Sequence, residues 1–191
     1  MARKKVPQKA GWQNGPLVLY HGTDSVSAKA LSHTTQNLPT NIDLAQSHPR
    51  RDFGRGFYTT SRFDQAMNWA NQRFEKSRAR SGRKPRGNKA CVAQFSVDRN
   101  HLARLDTLCF VLADVNPDVW EFVLHCRGEG EAHCFWGSLF YDVVFGPVVV
   151  WPQRLWMKDC DQVSFHTEAA LAILPKPTLI DPPRGDELFQ L

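Results

Sequence analysis

The sequence lacks what a membrane protein or an exported protein needs. No apolar run reaches the roughly 18 residues of a membrane-spanning helix. The basic N-terminal segment, residues 1–14, has no apolar stretch of the kind found in secretion signals, although the chain could also begin at a cut boundary within a longer chain. The five cysteines form no CxxC pair, which is typical of a reducing compartment. We therefore expect a cytoplasmic protein that does not enter a membrane.

Metal ligands are scarce as well. The adjacent pairs His125-Cys126 and His133-Cys134 are eight residues apart. Adjacent side chains on a strand point to opposite faces, so each pair would supply one ligand at most unless a loop intervenes. We predict that these residues are packed or at the surface and that no metal is bound; a zinc site is the alternative.

The chain also lacks the parts of a protein kinase. Asp52-Phe53-Gly54 spells the magnesium-binding tripeptide of kinases. The glycine loop, the strand lysine and the catalytic loop that precede this tripeptide in kinases are missing. We expect Asp52 to brace its own loop rather than to bind magnesium.

What the chain does have is enough apolar sequence for one folded domain over 1–191. Its 191 residues are 42% hydrophobic and 11% aromatic, which allows a core without covalent staples. Strands are predicted over 15–23, 54–60, 90–98, 141–150 and 161–167. Helices are predicted over 25–33, 63–74, 118–127 (where a strand is the alternative) and 168–174. Asp24 and Ser61 are predicted helix caps, and the proline-rich tail, 175–191, is predicted to be extended. Helices come early and strands late, which predicts an α+β fold.

Positive charge is concentrated in one segment. The net charge is +5, and residues 73–89 carry eight basic residues against Glu75 alone. Serine, glycine and proline predict a loop over 77–89. The loop is either a solvated insertion or an arm that binds phosphates, since lysine and arginine clusters supply most sequence-independent affinity for nucleic acid. The residues assigned to substrate binding are Arg78, Arg80, Arg83 and Lys84.

Three short predicted strands carry polar side chains that could meet across a cleft: His21, Tyr58 and Gln162. Taken singly, each has a structural alternative: a hydrogen-bonded histidine, a core tyrosine with its hydroxyl satisfied, and a polar residue of an edge strand. Together they offer a tyrosine ring for stacking and donors and acceptors for ribose hydroxyls. Gly22 follows His21 and removes a side chain, so a planar ligand could approach the backbone there.

Four separated motifs, in this order along residues 17–174, carry a resemblance to a known superfamily: LYHGT, DFGRGFYTT with the following QAMNWA, YDVVFGPV, and DQVSFHTEAAL. The chain resembles the ADP-ribosyltransferase superfamily in its His-Tyr-Glu branch, which includes diphtheria toxin and the poly(ADP-ribose) polymerases. More narrowly, it is similar to a bacterial family of unknown function found among toxins. The resemblance implies two small, roughly perpendicular β-sheets around a cleft for NAD.

The resemblance implies a role for each matching residue. His21 would bind the adenosine-side ribose, and the backbone of Gly22 would hold the nicotinamide amide. Tyr58 would stack on the nicotinamide ring, and position 162 would contact the 2′-hydroxyl of the nicotinamide ribose. The superfamily usually keeps glutamate there, where this chain has Gln162. Because a carboxylate stabilises an oxocarbenium-like ribose better than an amide does, the acceptor must be a good nucleophile or be activated by another group.

The glycine-rich second motif would hold the rest of the dinucleotide. Gly54 and Gly56 would let the backbone bend close to NAD, and Arg55 would pair with the pyrophosphate. Thr23 and Gly56 complete the predicted NAD-binding set. The carboxylates that could assist the acceptor are Glu168, Glu129 and Glu131; the sequence does not choose among them, and the alternative for each is an ordinary surface carboxylate.

Taken together, the sequence predicts a toxin-like transferase that moves ADP-ribose from NAD to a macromolecule and releases nicotinamide. The favoured acceptor is RNA, with protein as the alternative. NAD hydrolysis without an acceptor and a nucleic-acid-binding module with a decayed site remain open as well. By analogy, such a toxin would be silenced by an antitoxin or immunity protein and could serve in antiviral defence.

Overall fold

The computed structural model describes residues 15–35, 38–81, 87–111, 117–129 and 140–181. These residues form seven strands and five α-helices, which confirms the predicted α+β class and its two small sheets. The strands are β1 (Leu17–Asp24), β2 (Phe57–Thr59), β3 (Ala90–Val97), β4 (Thr107–Cys109), β5 (Val143–Val150), β6 (Leu155–Phe165) and β7 (Thr178–Ile180). The helices are α1 (Ser25–Leu31), α2 (Phe63–Ser81), α3 (Arg99–Leu102), α4 (Pro117–Glu129) and α5 (Glu168–Ala172). Within this part of the chain, no helix has both the length and the apolar character to cross a membrane.

Strand order defines the two sheets. Sheet A is antiparallel in the order β1-β3-β7, and sheet B has the order β2-β6-β5-β4 with β4 and β5 as its parallel pair. Between them, Tyr20 on β1 and Thr60 after β2 exchange both backbone hydrogen bonds, at 2.8 and 2.9 Å. The sheets therefore meet where the first and second sequence motifs lie side by side.

Three apolar clusters fill the space around the sheets. The largest combines side chains from both sheets with α5, and its members include Leu19, Phe57, Ala93, Phe95, Val163, Phe165 and Leu171. A second cluster lies under α4 and includes Phe53, Phe110, Val119, Phe122, Val123 and Val144. The third joins α2 to sheet A through Ala66, Met67, Ala70 and Val92. The apolar stripe predicted for α2 is thus the face that packs on the sheet.

Most local predictions are confirmed. The Asp24 carboxylate caps α1 by accepting from the backbone N–H groups of Val26 and Ser27. The ambiguous 118–127 segment is helical. Part of the C-terminal tail is extended as predicted, because β7 pairs with β3. The short elements α3 and β4 were not predicted, since three or four residues leave too little periodicity to detect.

Two local predictions were wrong. Ser61 does not act as a cap: its backbone N–H and its hydroxyl both donate to the Asp161 carboxylate on β6. In addition, α2 continues to Ser81, so residues 77–81 of the predicted basic loop are helical. Alanine and arginine there favour helix as much as the neighbouring serines favour a loop. Residues 82–86 of that predicted loop lie outside the described residues, as do residues 1–14 and 182–191 of the two predicted terminal segments.

At Gly22 the backbone of β1 comes close to the backbone of α2. A Cβ atom at this position would lie 2.0 Å from the Ala66 carbonyl oxygen and 2.8 Å from the Ala70 nitrogen. Both are backbone atoms, so no side-chain rotation relieves the overlap. The space that glycine leaves at residue 22 is occupied by the helix, not open to a ligand as the sequence pattern predicts.

This contact predicts a large cost for Gly22→Ala. We expect the free energy of unfolding to fall by roughly 3 kcal/mol or more, because overpacking against backbone cannot be absorbed by rotamer changes. Gly128→Ala is the matched control, since a Cβ there meets nothing within 4 Å. In a helix this change should stabilise by up to about 1 kcal/mol. Urea unfolding measures both, and equal effects in the two variants would contradict the packing argument.

Candidate functional site

His21 and Tyr58 meet through the backbone of β2. The His21 Nδ1 atom lies 2.7 Å from the Tyr58 carbonyl oxygen, and the imidazole ring packs on Phe57 with ring centroids 4.7 Å apart. Because neighbouring residues of a strand point to opposite faces, the Tyr58 ring lies on the other face of β2 from Phe57. The structure therefore brings the two predicted residues together, but not ring to ring.

Burial sets the protonation state of His21, and the hydrogen bond to Tyr58 sets its tautomer. Burial lowers the pKa of His21 from 6.5 to about 4, against the bond to Tyr58, which raises it, while the nearby charge of Arg73 lowers it further. The ring is therefore neutral at pH 7. Because a carbonyl oxygen can only accept, Nδ1 carries the proton, and Nε2 is left as a hydrogen-bond acceptor.

The backbone of Gly22 faces the junction of the sheets. Tyr20 directs its N–H and C=O groups towards Thr60, whereas the Ser25 N–H donates to the Lys89 carbonyl oxygen on the β3 side. In an antiparallel pair these directions alternate from residue to residue. The N–H and C=O of Gly22 therefore point to the same side as those of Tyr20, away from β3.

Tyr58 holds the glycine-rich loop with its hydroxyl. Its Oη donates to the Gly54 carbonyl oxygen at 2.7 Å and accepts from the Phe53 N–H at 3.0 Å. Burial raises the pKa of Tyr58 well above 10, so the phenol is neutral. Gly54 itself has φ +80°, a conformation that disfavours other residues. The hydroxyl thus has a structural role in addition to the stacking role predicted for the ring.

Gln162 lies on the same face of sheet B as Tyr58. Tyr58 is paired with Ser164 on β6, and Gln162 is two residues along that strand. Its side chain is 8% exposed. The Nε2 group donates to Asp52 Oδ2 and to the Pro147 carbonyl oxygen, both at 2.8 Å. The predicted third site residue is therefore anchored by its nitrogen.

Asp52 is a buried charge with three sets of partners. Arg127 of α4 donates to Oδ1 through Nε, at 2.9 Å, and through Nη2, while Oδ2 accepts from the Val149 N–H and from Gln162. Arg127 also lies over the Trp151 ring, 5.2 Å from its centroid. The expectation that Asp52 braces its loop agrees with these contacts, and the partners, 75 to 110 residues away, were invisible to sequence reasoning.

The backbone at Arg55 is held by the buried residues His166 and Ser164. His166 Nδ1 lies 2.7 Å from the Arg55 carbonyl oxygen, and its Nε2 lies 2.7 Å from the Ser164 hydroxyl. A Cβ on Gly56 would lie 2.7 Å from the His166 ring. The Arg55 guanidinium donates to the Ala45 and Ser47 carbonyl oxygens, so its predicted pyrophosphate contact would be shared with a turn.

Only some of the remaining predicted residues fall in the described part of the chain. Thr23 is buried in sheet A, and Glu168 is exposed in the first turn of α5. The side chains of Arg78, Arg80 and Glu129 are outside the described part of the chain, as are all of Arg83, Lys84, Glu131, His133 and Cys134. His125 and Cys126 lie on α4, and among the described residues no three His, Cys, Asp or Glu side chains converge as metal ligands.

Trp69 is an aromatic residue that sequence reasoning did not consider. It lies on α2 directly before Ala70, whose backbone contacts Gly22, and it is 48% exposed. An exposed tryptophan ring offers a face on which an aromatic ligand could stack. The helical stripe of buried alanines on either side of it was the signal that could have placed it near β1.

Comparison with protein-family models places the chain in a family. A family model described as "Protein of unknown function (DUF3990)" matches residues 17–150, well over half of the chain. The matched range includes His21, Tyr58 and Asp52 and ends before β6 and Gln162. No curated protein and no solved structure matches the chain at a significant level.

The lowered pKa of His21 predicts a pH-dependent stability. Below pH 6.5 the unfolded chain binds a proton at His21, whereas the folded chain binds it only near pH 4. The contribution of His21 to the free energy of unfolding is therefore fully present above pH 6.5 and is lost as the pH falls from 6.5 towards 4. The loss should reach roughly 2–3 kcal/mol. In His21→Asn, whose amide can still donate to Tyr58, this part of the slope should vanish. Urea unfolding of both proteins from about pH 4 to 8 tests this, and parallel profiles would contradict it.

Proposed function

We propose that this chain, which belongs to the DUF3990 family of proteins of unknown function, transfers ADP-ribose from NAD to a macromolecule. The observation that carries the proposal is the junction of β1 and β2. There His21, a neutral histidine whose Nε2 accepts no hydrogen bond from the described residues, stands next to the outward N–H and C=O groups of Gly22. The four-motif resemblance to ADP-ribosyltransferases assigns both residues to NAD, and the two-sheet α+β fold is compatible with an ADP-ribosyltransferase-like cleft.

The Gly22 backbone suits a carboxamide. A nicotinamide amide has one acceptor oxygen and an NH₂ donor, which complement one backbone N–H and one C=O. The approach would be along the strand edge, because α2 covers the other side of Gly22. His21 Nε2 could then accept from a ribose hydroxyl without competing with its own bond to Tyr58.

Two aromatic residues could stack on the nicotinamide ring. Tyr58 is the one that the resemblance assigns, and its ring is half-buried on the face of sheet B that carries Gln162. Trp69 is more exposed and lies on the helix that packs on Gly22. Substituting each in turn separates these assignments.

The reaction itself asks little covalent chemistry of the protein. The bond between nicotinamide and the ribose C1′ breaks, neutral nicotinamide leaves with the bonding pair, and a nucleophilic oxygen of the acceptor bonds to C1′ and loses its proton. Positive charge develops on the ribose in between. Gln162 would orient the 2′-hydroxyl while this charge develops, and solvent or a carboxylate would take the acceptor proton.

RNA is the acceptor that the charge distribution favours. The chain has a net charge of +5, with eight basic residues in 73–89, and the first half of this segment extends α2. The lysine and arginine side chains of 73–89 would bind RNA phosphates without recognising the base sequence. A toxin of this kind would act in the cytoplasm and need an antitoxin or immunity protein; protein modification and NAD hydrolysis are the competing activities.

Incubation with NAD labelled in the adenylate moiety tests the proposal. We expect label on RNA together with free nicotinamide. Tyr58→Ala should abolish transfer if that ring stacks, whereas Tyr58→Phe should keep much of it and lose about 1 kcal/mol of stability with the hydroxyl bonds. If Trp69→Ala alone abolishes transfer, the stacking residue is Trp69.

Other products decide between the alternatives. Label on protein would replace RNA as the acceptor, and free nicotinamide without labelled polymer would indicate a hydrolase. If neither nicotinamide nor labelled polymer forms, the enzyme proposal is wrong and a binding module is the better interpretation.

Neutralising the basic segment tests the choice of RNA. Changing Arg78, Arg80, Arg83 and Lys84 together to glutamine should weaken RNA labelling and flatten its salt dependence, because each lost phosphate contact removes a counterion-release contribution. NAD hydrolysis without acceptor should barely change, since none of the four is assigned to the dinucleotide. Normal labelling of RNA by this variant at moderate salt would show that the segment is a solvated surface.

A further inference from the structure

We propose that Asp52 is a positioning residue for Gln162, fixing the side-chain amide so that its oxygen, and not its nitrogen, is presented to the ribose. This inference rests on the proposed function for what Gln162 contacts. The fixed orientation itself follows from the hydrogen bonds and can be tested without any substrate.

The orientation of the Gln162 amide is determined by its two partners. Asp52 Oδ2 and the Pro147 carbonyl oxygen both lie 2.8 Å from Nε2. A carboxylate and a carbonyl can only accept, so both N–H bonds of the amide are used. Turning the amide over would place Oε1 against two acceptors. Among the described residues nothing donates to Oε1, which leaves it as the acceptor that this side chain offers.

The division of Asp52 between its partners makes this fixing strong. Arg127 binds Oδ1, which leaves Oδ2 to Gln162 and the Val149 N–H. The bond to Gln162 is charge-assisted and buried, and Asp52 is 7% exposed. A carboxylate at the N–H end of an amide polarises it and makes its oxygen a better acceptor. Through this bond, Asp52 increases the negative partial charge on the oxygen of the neutral Gln162 side chain.

The same geometry explains why glutamine suits position 162 in this chain. A glutamate there would place a carboxylate oxygen at hydrogen-bond distance from Asp52 and from the Pro147 carbonyl oxygen. Two carboxylates at that separation cannot both be ionised without a large cost. The negative charge of the pair is therefore carried by Asp52, with Gln162 as its extension towards the cleft.

Asp52→Asn tests the positioning role. The amide oxygen of the substituted side chain would stay on Arg127, so its NH₂ group would face the Gln162 NH₂ and the Val149 N–H. With donor against donor, Gln162 loses its fixed orientation. We expect kcat for NAD turnover to fall about tenfold or more, the effect of one charge-assisted hydrogen bond, with KM changed less than about threefold.

Asp161→Asn is the matched control. It makes the same chemical change one residue before Gln162 on β6, at a carboxylate that accepts from Thr60 and Ser61 instead. We expect a loss of stability with kcat within about threefold of the unsubstituted protein. If both variants lower kcat equally at a temperature where both are folded, Asp52 has only a structural role and the inference is wrong.

A second measurement needs neither activity nor a folded variant. In ¹⁵N-labelled protein, the side-chain NH₂ of Gln162 should exchange with water far more slowly than that of the exposed Gln72. Equal exchange rates would overturn the fixed amide. An inactive but slowly exchanging protein would refute the proposed function and leave the fixed amide standing, whereas an active protein with equal kcat in both variants refutes this inference alone.

Discussion

The arrangement of the site depends on the cost of burying the Asp52 charge. A carboxylate removed from water must be paired and fully hydrogen-bonded, and the hydrogen-bond partners of Asp52 lie 75 to 110 residues away in the chain. The partners come from α4, β5 and β6. One charge therefore ties the glycine-rich loop to three later elements. The same loop positions Tyr58 through hydrogen bonds from Phe53 and to Gly54. The geometry of the candidate site therefore depends on the contacts of Asp52 with Arg127, Val149 and Gln162.

A second constraint comes from a missing side chain. Gly22 allows the backbone of α2 to approach β1, and Gly56 allows the His166 ring to approach the loop. Both glycines lie in motifs that a functional interpretation assigns to NAD. The structure gives each a packing role first, and the functional role depends on it. Close packing on one side of Gly22 leaves its backbone groups as the groups that a ligand could reach.

The features that could be predicted from the sequence are those determined by residues close together in the chain. Strand alternation, the cap at Asp24 and the helical stripe of α2 are determined within a few residues, and these predictions are confirmed. His21 and Tyr58 were identified from strand-turn motifs, and the structure joins them by a hydrogen bond. The Asp52–Arg127 pair, 75 residues apart, and the anchored nitrogen of Gln162 depend on sheet order, which no local pattern encodes. The end of α2 was misjudged because the loop prediction followed the serine, glycine and proline of the segment, whereas alanine and arginine over 77–81 favour helix.

Sheet order also bears on what the family relationship can imply. The matched residues, 17–150, supply β2, β4 and β5 of sheet B, but β6 lies between β2 and β5 and is outside the match. Without β6, no strand would join β2 to β5. The strand β2, whose Tyr58 carbonyl oxygen accepts from His21, would then have no partner in sheet B. Any activity located at the β1–β2 junction therefore requires a strand in this place. Gln162, which lies opposite Gly146 and donates to Asp52, belongs to that strand, so the hydrogen bonding of the buried Asp52 carboxylate also depends on a segment outside the matched range.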